Sequence, residues 1–380
     1  MEDINVYKYW MHCLPKIGDV AIYKLLALYD NAYEVYKAIN KKDKRLNRVL
    51  SKDQINEVFN INESIDIFDK YKLMTENKIR FITIDDEIYP KRLRSIENPP
   101  YAIYVKGELP EDDVPSVAII GARNCSEYGT FIANSFGETL ASMGINIISG
   151  MARGIDGISQ RGAINKNGKT YAVLGCGVDV CYPMGNYKLY KDILNNGGII
   201  SIFPPGEAPI KKHFPERNRI VAALSDLILV VEARQKSGTS ITVDMAMKMG
   251  KDVYAVPGRL TDRLSDGCNI LIRDGAGIVL SPEDVLRELS IIWGQKYPQS
   301  DYINIKDIKN INKYTKEEDL GVLKYLDFNP LSIDDIQKLR NQYEPEVSLS
   351  QTLSELILLC SEGKVVQTGS CYFNKSGSVL

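Results

Sequence analysis

The sequence has little material for a metal site, because its 380 residues include only two histidines, His12 and His213. The seven cysteines are widely spaced, and zinc sites need several clustered nitrogen or sulfur ligands. We therefore expect no metal and no other cofactor. An odd number of scattered thiols also gives no pattern of disulfide pairs, which favours a reducing cytoplasm.

The sequence also lacks targeting and membrane segments. Its first residues, MEDINVYKYWMHCLPKIGDV, carry early acidic side chains and no long apolar core, so they do not form a signal peptide. No stretch approaches the apolar length that crosses a bilayer. We expect a cytoplasmic protein that does not contact membranes.

The chain has no excess of positive charge, since its net charge is −2 and its pI is near 5.9. Nucleic-acid-binding domains are often basic, so the overall charge argues mildly against that function. A local cluster of cations would still attract phosphates, because charges act over about one Debye length. The length is enough for two or three domains.

The middle of the chain, residues 76–293, carries the strongest pattern. Short, uniformly apolar runs alternate there with helical stretches, which is typical of a parallel sheet covered on both faces. We predict a doubly wound, mainly parallel, Rossmann-like α/β domain. The predicted strands are Val117–Ile120, Ile145–Ile148, Tyr171–Leu174, Ile199–Ile202, Leu227–Val231 and Asp252–Val256.

Smaller segments flank this domain. Residues 1–75 show helical apolar spacing and predict a small helical domain of the SAM or helix-hairpin-helix type. The turn at residues 14–18 either binds a phosphate, or it contains Gly18 only because the turn itself requires a glycine. After a linker at 294–313, residues 314–380 predict three helices and a hairpin, as in a winged helix. Its third helix has no lysine or arginine, which favours packing or protein contact over DNA reading.

Glycines follow the predicted strands, and cations accompany most of them. Ligands of doubly wound sheets bind beyond the carboxyl ends of the strands, so these turns are expected to meet at one edge. Arg123 and Arg153 stand in two of the turns and are suited to phosphate contacts. The turn glycines are Gly121, Gly150, Gly175, Gly177 and Gly258.

Two further stretches indicate a polyanion ligand. Residues 211–219 hold Lys211, Lys212, Arg217 and Arg219 around Phe214, and cations beside an aromatic ring suit single-stranded nucleic acid. The same stretch is also consistent with a surface helix whose Phe214 lies in the core. Downstream, Lys236 precedes Ser237, Gly238 and Thr239 at a helix start, a good cradle for phosphate.

The motifs along residues 75–290 resemble the DprA/Smf family of DNA-processing proteins. They are GARNCSEYG, SGMARGID, LGCGVDVCYP, FPERNRIVAALSDLILVVEA, KSGTSITVDMAMKMGKDVYAVPG and SDGCNILIRDGA, in the family's order. Tyr89-Pro90 and Pro99-Pro100 resemble the segment that precedes the family's Rossmann-like domain. One position departs from the family, because Ile202 follows Ser201 where an acidic residue is common.

The resemblance implies a cytoplasmic homodimer that is not an enzyme. It would bind incoming single-stranded DNA and help load RecA recombinase during natural transformation and recombination. The dimer would form through the Rossmann-like domain, near Asn269–Ala276 and the following helix. The expected DNA contacts are Arg123, Ser126, Arg153, Lys211, Phe214, Arg217, Arg219, Lys236, Ser237, Gly238 and Thr239.

Two other functions stay open at this point. Phosphoribohydrolases of the same superfamily resemble the Ser-Gly-Thr segment, but Thr242 stands here where they carry a catalytic glutamate. No serine or cysteine has an evident histidine partner. The acidic pI and the third helix near the C-terminus, which has no lysine or arginine, are instead consistent with a protein adaptor.

Overall fold

The computed structural model describes residues 4–61, 67–294, 321–326 and 330–374. The central sheet has nine strands, which are, from β1 to β9, Ile79–Thr83, Ala102–Gly107, Ser116–Ile120, Asn146–Ser149, Thr170–Val173, Gly197–Ser201, Leu227–Val230, Asp252–Ala255 and Gly277–Ile278. They lie side by side in the order β1-β2-β6-β5-β4-β3-β7-β8-β9. Neighbouring strands from β6 to β9 in this order are parallel, whereas the pairs β1-β2 and β2-β6 are antiparallel.

The central strands form because their side chains are apolar on both faces and are buried by helices on both sides. Every residue of β3, β4, β5, β6 and β7 is buried. The order β5-β4-β3-β7-β8 reverses direction between β3 and β7, as in doubly wound folds. The predicted fold class is thus confirmed, and each predicted strand overlaps an observed one.

Helices cover the two faces of the sheet. The helices of this part of the chain are α6 Lys91–Arg94, α7 Glu127–Ser142, α8 Ile155–Asn165, α9 Tyr187–Asn196, α10 His213–Leu224, α11 Gly238–Lys248, α12 Asp266–Arg273 and α13 Pro282–Trp293. One face of the sheet packs against α7, α8 and α13, and the other face packs against α6, α10, α11 and α12.

The N-terminal segment is helical, as predicted. Its helices are α1 Ile4–His12, α2 Asp19–Leu28, α3 Ala32–Asn40, α4 Lys52–Ile61 and α5 Ile67–Glu76. Their core is continuous with the sheet, since Tyr9 of α1 packs edge-on against Phe81 of β1 and Tyr104 of β2. The domain boundary near residue 75 stays a prediction.

His12 is one of the polar groups at this junction. Its Nδ1 lies 2.9 Å from the hydroxyl of Tyr104, and burial lowers the pKa of His12 to about 4. The unfolded chain takes up this proton below about pH 6.5, whereas the folded chain resists it. The stability that His12 contributes is therefore complete above about pH 6.5 and is lost as the pH falls towards about 4.

We expect His12→Asn, which keeps a neutral polar group, to flatten this acid dependence. The free energy of unfolding of the wild type should fall by on the order of 2 kcal/mol more than that of the variant between about pH 7 and 4. Urea denaturation at a series of pH values measures both curves. Parallel curves would show that His12 is not the group responsible.

Near the C-terminus, residues 330–374 form two helices and a three-stranded sheet, preceded by a 3-10 turn at Gly321–Tyr325. The strands are β10 Leu331–Ser332, β11 Val365–Thr368 and β12 Cys371–Asn374; the helices are α14 Ile333–Asn341 and α15 Leu349–Ser361. This arrangement agrees with the predicted helices and hairpin, except that the first helix is a 3-10 turn. The predicted linker lies outside the described residues apart from Gly294.

Candidate nucleic-acid interface

A cleft of about 420 Å³ opens at the carboxyl ends of the central strands. It lies where β3 and β7 separate, because the chain leaves these two neighbours towards opposite faces of the sheet. The turns after β3 and β4, the start of α10 and the amino end of α11 form its walls. Its lining includes Gly121, Arg123, Gly150, Ala152, Asp156, Phe214, Arg217, Asn218, Ser237, Gly238, Thr239 and Thr242.

The turn after β3 brings Arg123 to the cleft and is held from behind by Glu232. This buried carboxylate accepts hydrogen bonds from the main-chain N–H of Ser126 at 2.9 Å and from its hydroxyl at 2.5 Å. The Ser126 hydroxyl also accepts from the N–H of Gly129, which caps α7. Ser126 thus fixes the turn, and Arg123 is left exposed in the lining of the cleft.

Arg217 forms part of the cleft wall. It is only 6% exposed, and its guanidinium donates to the carbonyl oxygens of Gly150 at 2.5 Å and Val173 at 2.6 Å. A Cβ on Gly150 would stand 2.2 Å from this guanidinium, so any larger residue there would displace Arg217 from its present position. Burial lowers the pKa of Arg217, and the charge of Asp156 opposes that shift. Arg217 joins two turns and adds positive potential to the cleft.

Because Arg217 is buried and fully engaged, we expect Arg217→Ala to lower stability as well as DNA affinity. Two carbonyl groups would lose their hydrogen-bond donor and the buried Asp156 would lose a nearby positive charge, at a cost on the order of 3 kcal/mol in the free energy of unfolding. The exposed Arg123→Ala should stay within about 0.5 kcal/mol of the wild type. Urea denaturation compares the two variants, and equal stabilities would contradict the structural role of Arg217.

Phe214 is half-buried, and its ring faces the cleft rather than the interior of the core. The guanidinium carbons of Arg123 and Arg217 lie 5.6 and 5.9 Å from the ring centroid. Gly175 faces the ring edge, since a Cβ there would stand 3.1 Å from Phe214 Cδ1. A partly open aromatic ring between two arginines is suited to stacking on a nucleobase.

The amino end of α11 completes the cleft. Ser237 is its N-cap residue, but its hydroxyl makes no capping bond and is buried without a hydrogen-bond partner. Gly238 is exposed and Thr239 is nearly buried, and both line the cleft. The free N–H groups of the first turn and the helix dipole favour an anion here.

The structure separates the remaining predicted contacts from the cleft lining. Three of them are exposed: Arg153 lies on the turn after β4, Lys211 lies before α10, and Lys236 lies before α11. The side chain of Arg219 lies elsewhere, since it donates to the carbonyl oxygens of Glu97 and Asn98 and lines a second cleft beside α2.

Two of the predicted turn glycines also serve other contacts. Gly177 donates to the carbonyl oxygen of Glu207. Gly258 is held by Asn269, which both donates to and accepts from its main chain. Both glycines therefore shape loops outside the cleft lining.

Some lining residues were not predicted. Asp156 is the one carboxylate in the described lining of the cleft, and it accepts from the N–H of Gly150 at 3.2 Å. Burial raises the pKa of Asp156, and Arg217 opposes that shift. Neither Asp156 nor Asn218 was predicted from the sequence as a site residue, and Thr242 was named only as the position where the related phosphoribohydrolases carry a glutamate.

The described residues contain no group of three or more His, Cys, Asp or Glu side chains arranged to hold a metal. Nor is any of their helices both long and apolar enough to cross a membrane.

Comparison with known proteins places the chain among DNA-processing proteins. The family described as DNA recombination-mediator protein A matches residues 80–290. The DNA processing protein DprA of Streptococcus pneumoniae is 42% identical over 211 residues, which are 56% of this chain and 74% of that protein. Protein Smf of Escherichia coli is 38% identical over 224 residues, 58% of this chain and 60% of that protein.

Solved structures agree with these relatives. The X-ray structure of DprA from Streptococcus pneumoniae aligns with a TM-score of 0.62 and 34% identity, covering 74% of this chain and 97% of that one. DprA from Helicobacter pylori aligns with a TM-score of 0.51 and 33% identity over 56% of this chain and 97% of that one. Its structure is described as giving insight into a single-stranded DNA binding mode.

Proposed function

The chain belongs to the DNA recombination-mediator protein A family, also called DprA/Smf, and from this premise we propose that it binds single-stranded DNA in the cleft. The observation that carries the proposal is the convergence of Arg123, Phe214, Arg217 and the amino end of α11 at one edge of the sheet. The arginines and the N–H groups suit phosphates, and the ring suits a base. The acidic pI is no obstacle, because these groups act locally.

The cleft favours a flexible strand over a duplex. Its volume of about 420 Å³ accommodates individual nucleotides rather than the full width of a double helix. Phe214 reaches the face of a base only when that base is not stacked in a duplex. We therefore expect preference for single strands and little dependence on base sequence.

Fluorescence anisotropy with labelled single- and double-stranded oligonucleotides of one length tests the proposal. The single strand should bind more tightly, and its affinity should fall steeply with salt. The logarithmic slope is about −0.7 for each phosphate that the protein neutralises. A flat salt response would instead favour the adaptor function, and equal affinity for the duplex would contradict the preference for single strands.

We infer that the cleft binds DNA and does not act as a phosphoribohydrolase. Asp156 is buried against Gly150, and Thr242 stands where the related phosphoribohydrolases carry a glutamate. Glu232 is also buried and is bonded to Ser126 behind the turn, so it does not face the cleft. Incubation with nucleoside monophosphates should release no free base, and turnover would establish the enzymatic alternative.

We also propose that the protein acts as a cytoplasmic homodimer that helps load RecA onto incoming DNA during natural transformation and recombination. The edge of the sheet supports a dimer surface, because β9 pairs only with β8 among the described strands. Exposed apolar side chains flank this edge, namely Ile278, Leu280, Ile291 and Ile292. An open, apolar edge of this kind is typical of a subunit interface.

The dimer is tested separately from DNA binding. Light scattering after size exclusion should give a dimer for the wild type and a monomer for the double variant Ile291→Asp/Ile292→Asp. Stimulation of RecA filament growth on oligonucleotides coated with single-strand-binding protein tests the loading role. A monomeric wild type or unaltered RecA kinetics would contradict the respective proposal.

A further inference from the structure

Three exposed apolar side chains lie at the rim of the cleft. Tyr182, Met184 and Tyr187 are 40%, 71% and 48% exposed; the first two lie on the segment that joins β5 to α9, and Tyr187 is the first residue of α9. We refer to these three residues as the rim ledge. Large apolar side chains that cluster on a surface commonly mark a binding site.

The rim ledge is fixed in place beside the cleft. The side-chain amide of Asn186 donates to the carbonyl oxygens of Met151 at 2.9 Å and Ala152 at 3.2 Å. Ala152 lines the cleft, so these bonds tie the ledge segment to the cleft wall. On the other side, the Tyr182 ring contacts the Phe214 ring, with centroids 5.8 Å apart and planes inclined by 40°.

Cations accompany the rim ledge. Lys188 and Lys191 are exposed on α9, and the ammonium of Lys191 lies 4.6 Å from the ring centroid of Tyr187. Lys211 and Lys212 are exposed at the start of α10, close in sequence to Phe214. Aromatic and cationic side chains that alternate along a surface match the bases and phosphates of a single strand.

We propose that the rim ledge is a second base-stacking subsite, a proposal that rests on the proposed function of the cleft. A strand whose base stacks on Phe214 passes directly to Tyr182, because the two rings are in contact. The following nucleotides then lie along Met184 and Tyr187, and Lys188 and Lys191 neutralise their phosphates. The ledge thereby extends the length of DNA that one protein molecule covers.

A length series of labelled oligothymidylates, followed by anisotropy, tests the subsite. Tyr182→Ala and the double variant Met184→Ala/Tyr187→Ala should each bind long oligonucleotides about five- to tenfold more weakly than the wild type. For the shortest oligonucleotide that the wild type binds, the double variant should retain full affinity. Tyr182→Phe should match the wild type throughout, because the ring stacks without its hydroxyl.

Two controls separate the possible outcomes. Tyr343→Ala removes a more exposed tyrosine, 75% exposed, from the C-terminal segment and should change nothing. Arg123→Ala should weaken binding at every length, because it acts in the cleft itself. If both ledge variants bind with wild-type affinity while Arg123→Ala binds more weakly, the subsite alone is overturned. If the ledge variants and Arg123→Ala all bind with wild-type affinity, the proposed DNA binding in the cleft is overturned as well. Self-association that the ledge variants abolish, without loss of DNA affinity, would identify the ledge as a protein interface.

Discussion

Phe214→Ala should weaken single-stranded DNA binding by on the order of 1–3 kcal/mol, roughly five- to more than a hundredfold in Kd. The ring is half-buried at the cleft, within 6 Å of the guanidinium groups of Arg123 and Arg217. Its removal takes away both a stacking surface and the group that orients Arg123. Anisotropy with a labelled oligothymidylate at fixed salt measures the loss.

Phe214→Trp provides the matched control. A larger ring in the same place should retain most of the affinity, because stacking is insensitive to the identity of the ring. The salt slope of Phe214→Ala should stay near that of the wild type, since the side chain carries no charge. Affinity unchanged in Phe214→Ala, with the fold intact, would remove the ring from the binding site.

Arg123→Ala should lower the affinity by on the order of 1–3 kcal/mol for every base sequence alike. Arg123 is exposed and lines the cleft, so its loss removes a phosphate contact without affecting the core. The logarithmic salt slope should become shallower by about 0.7, which corresponds to one phosphate fewer on a single strand. Anisotropy titrations at four or five salt concentrations give both quantities.

Arg219→Ala is the informative control for this experiment. Arg219 lies in the same basic stretch as Arg217, but its guanidinium bonds to the main chain at Glu97 and Asn98 and lines the second cleft. We expect wild-type DNA affinity for this variant. Equal losses in Arg123→Ala and Arg219→Ala would mean that a diffuse basic surface, rather than the cleft, binds the DNA.

The cleft was predictable in outline because a parallel sheet gathers its strand ends at one edge. Uniformly apolar runs located the central strands, and the glycines and cations after them located the turns. Arg123, Phe214 and Ser237–Thr239 were predicted on this basis, and the structure brings all of them together. β1 and β2 were not predicted as strands, and β1 mixes exposed with buried positions, so it lacks the uniformly apolar run of the central strands.

The basic stretch shows what a linear reading misses. Once residues 213–224 are known to be helical, Phe214 and Arg217 fall on one face, three residues apart. Arg219 is two residues beyond Arg217, which places its side chain roughly 200° further around the helix axis, and it faces the second cleft. Treating the stretch as one patch therefore assigned both arginines to the same site.

Ser126 has a structural role that the sequence analysis did not assign to it. Its position directly before α7, with Glu127 in the first turn, is the sequence signature of a helix N-cap. The hydroxyl is bonded to Gly129 and Glu232, so the residue positions the turn, and its DNA contact stays a prediction. The buried Glu232 that completes this arrangement is distant in sequence and only the fold brings it there.

Photocrosslinking tests most directly whether the cleft holds the strand. An oligothymidylate carrying 5-iodouracil, irradiated in complex with the full chain and digested, reports which aromatic side chain lies against a base. We predict that the principal crosslinked peptide contains Phe214 and that Arg123→Ala reduces its yield. Crosslinks confined to α15, the C-terminal hairpin or the N-terminal helices, with none at Phe214, would contradict the account.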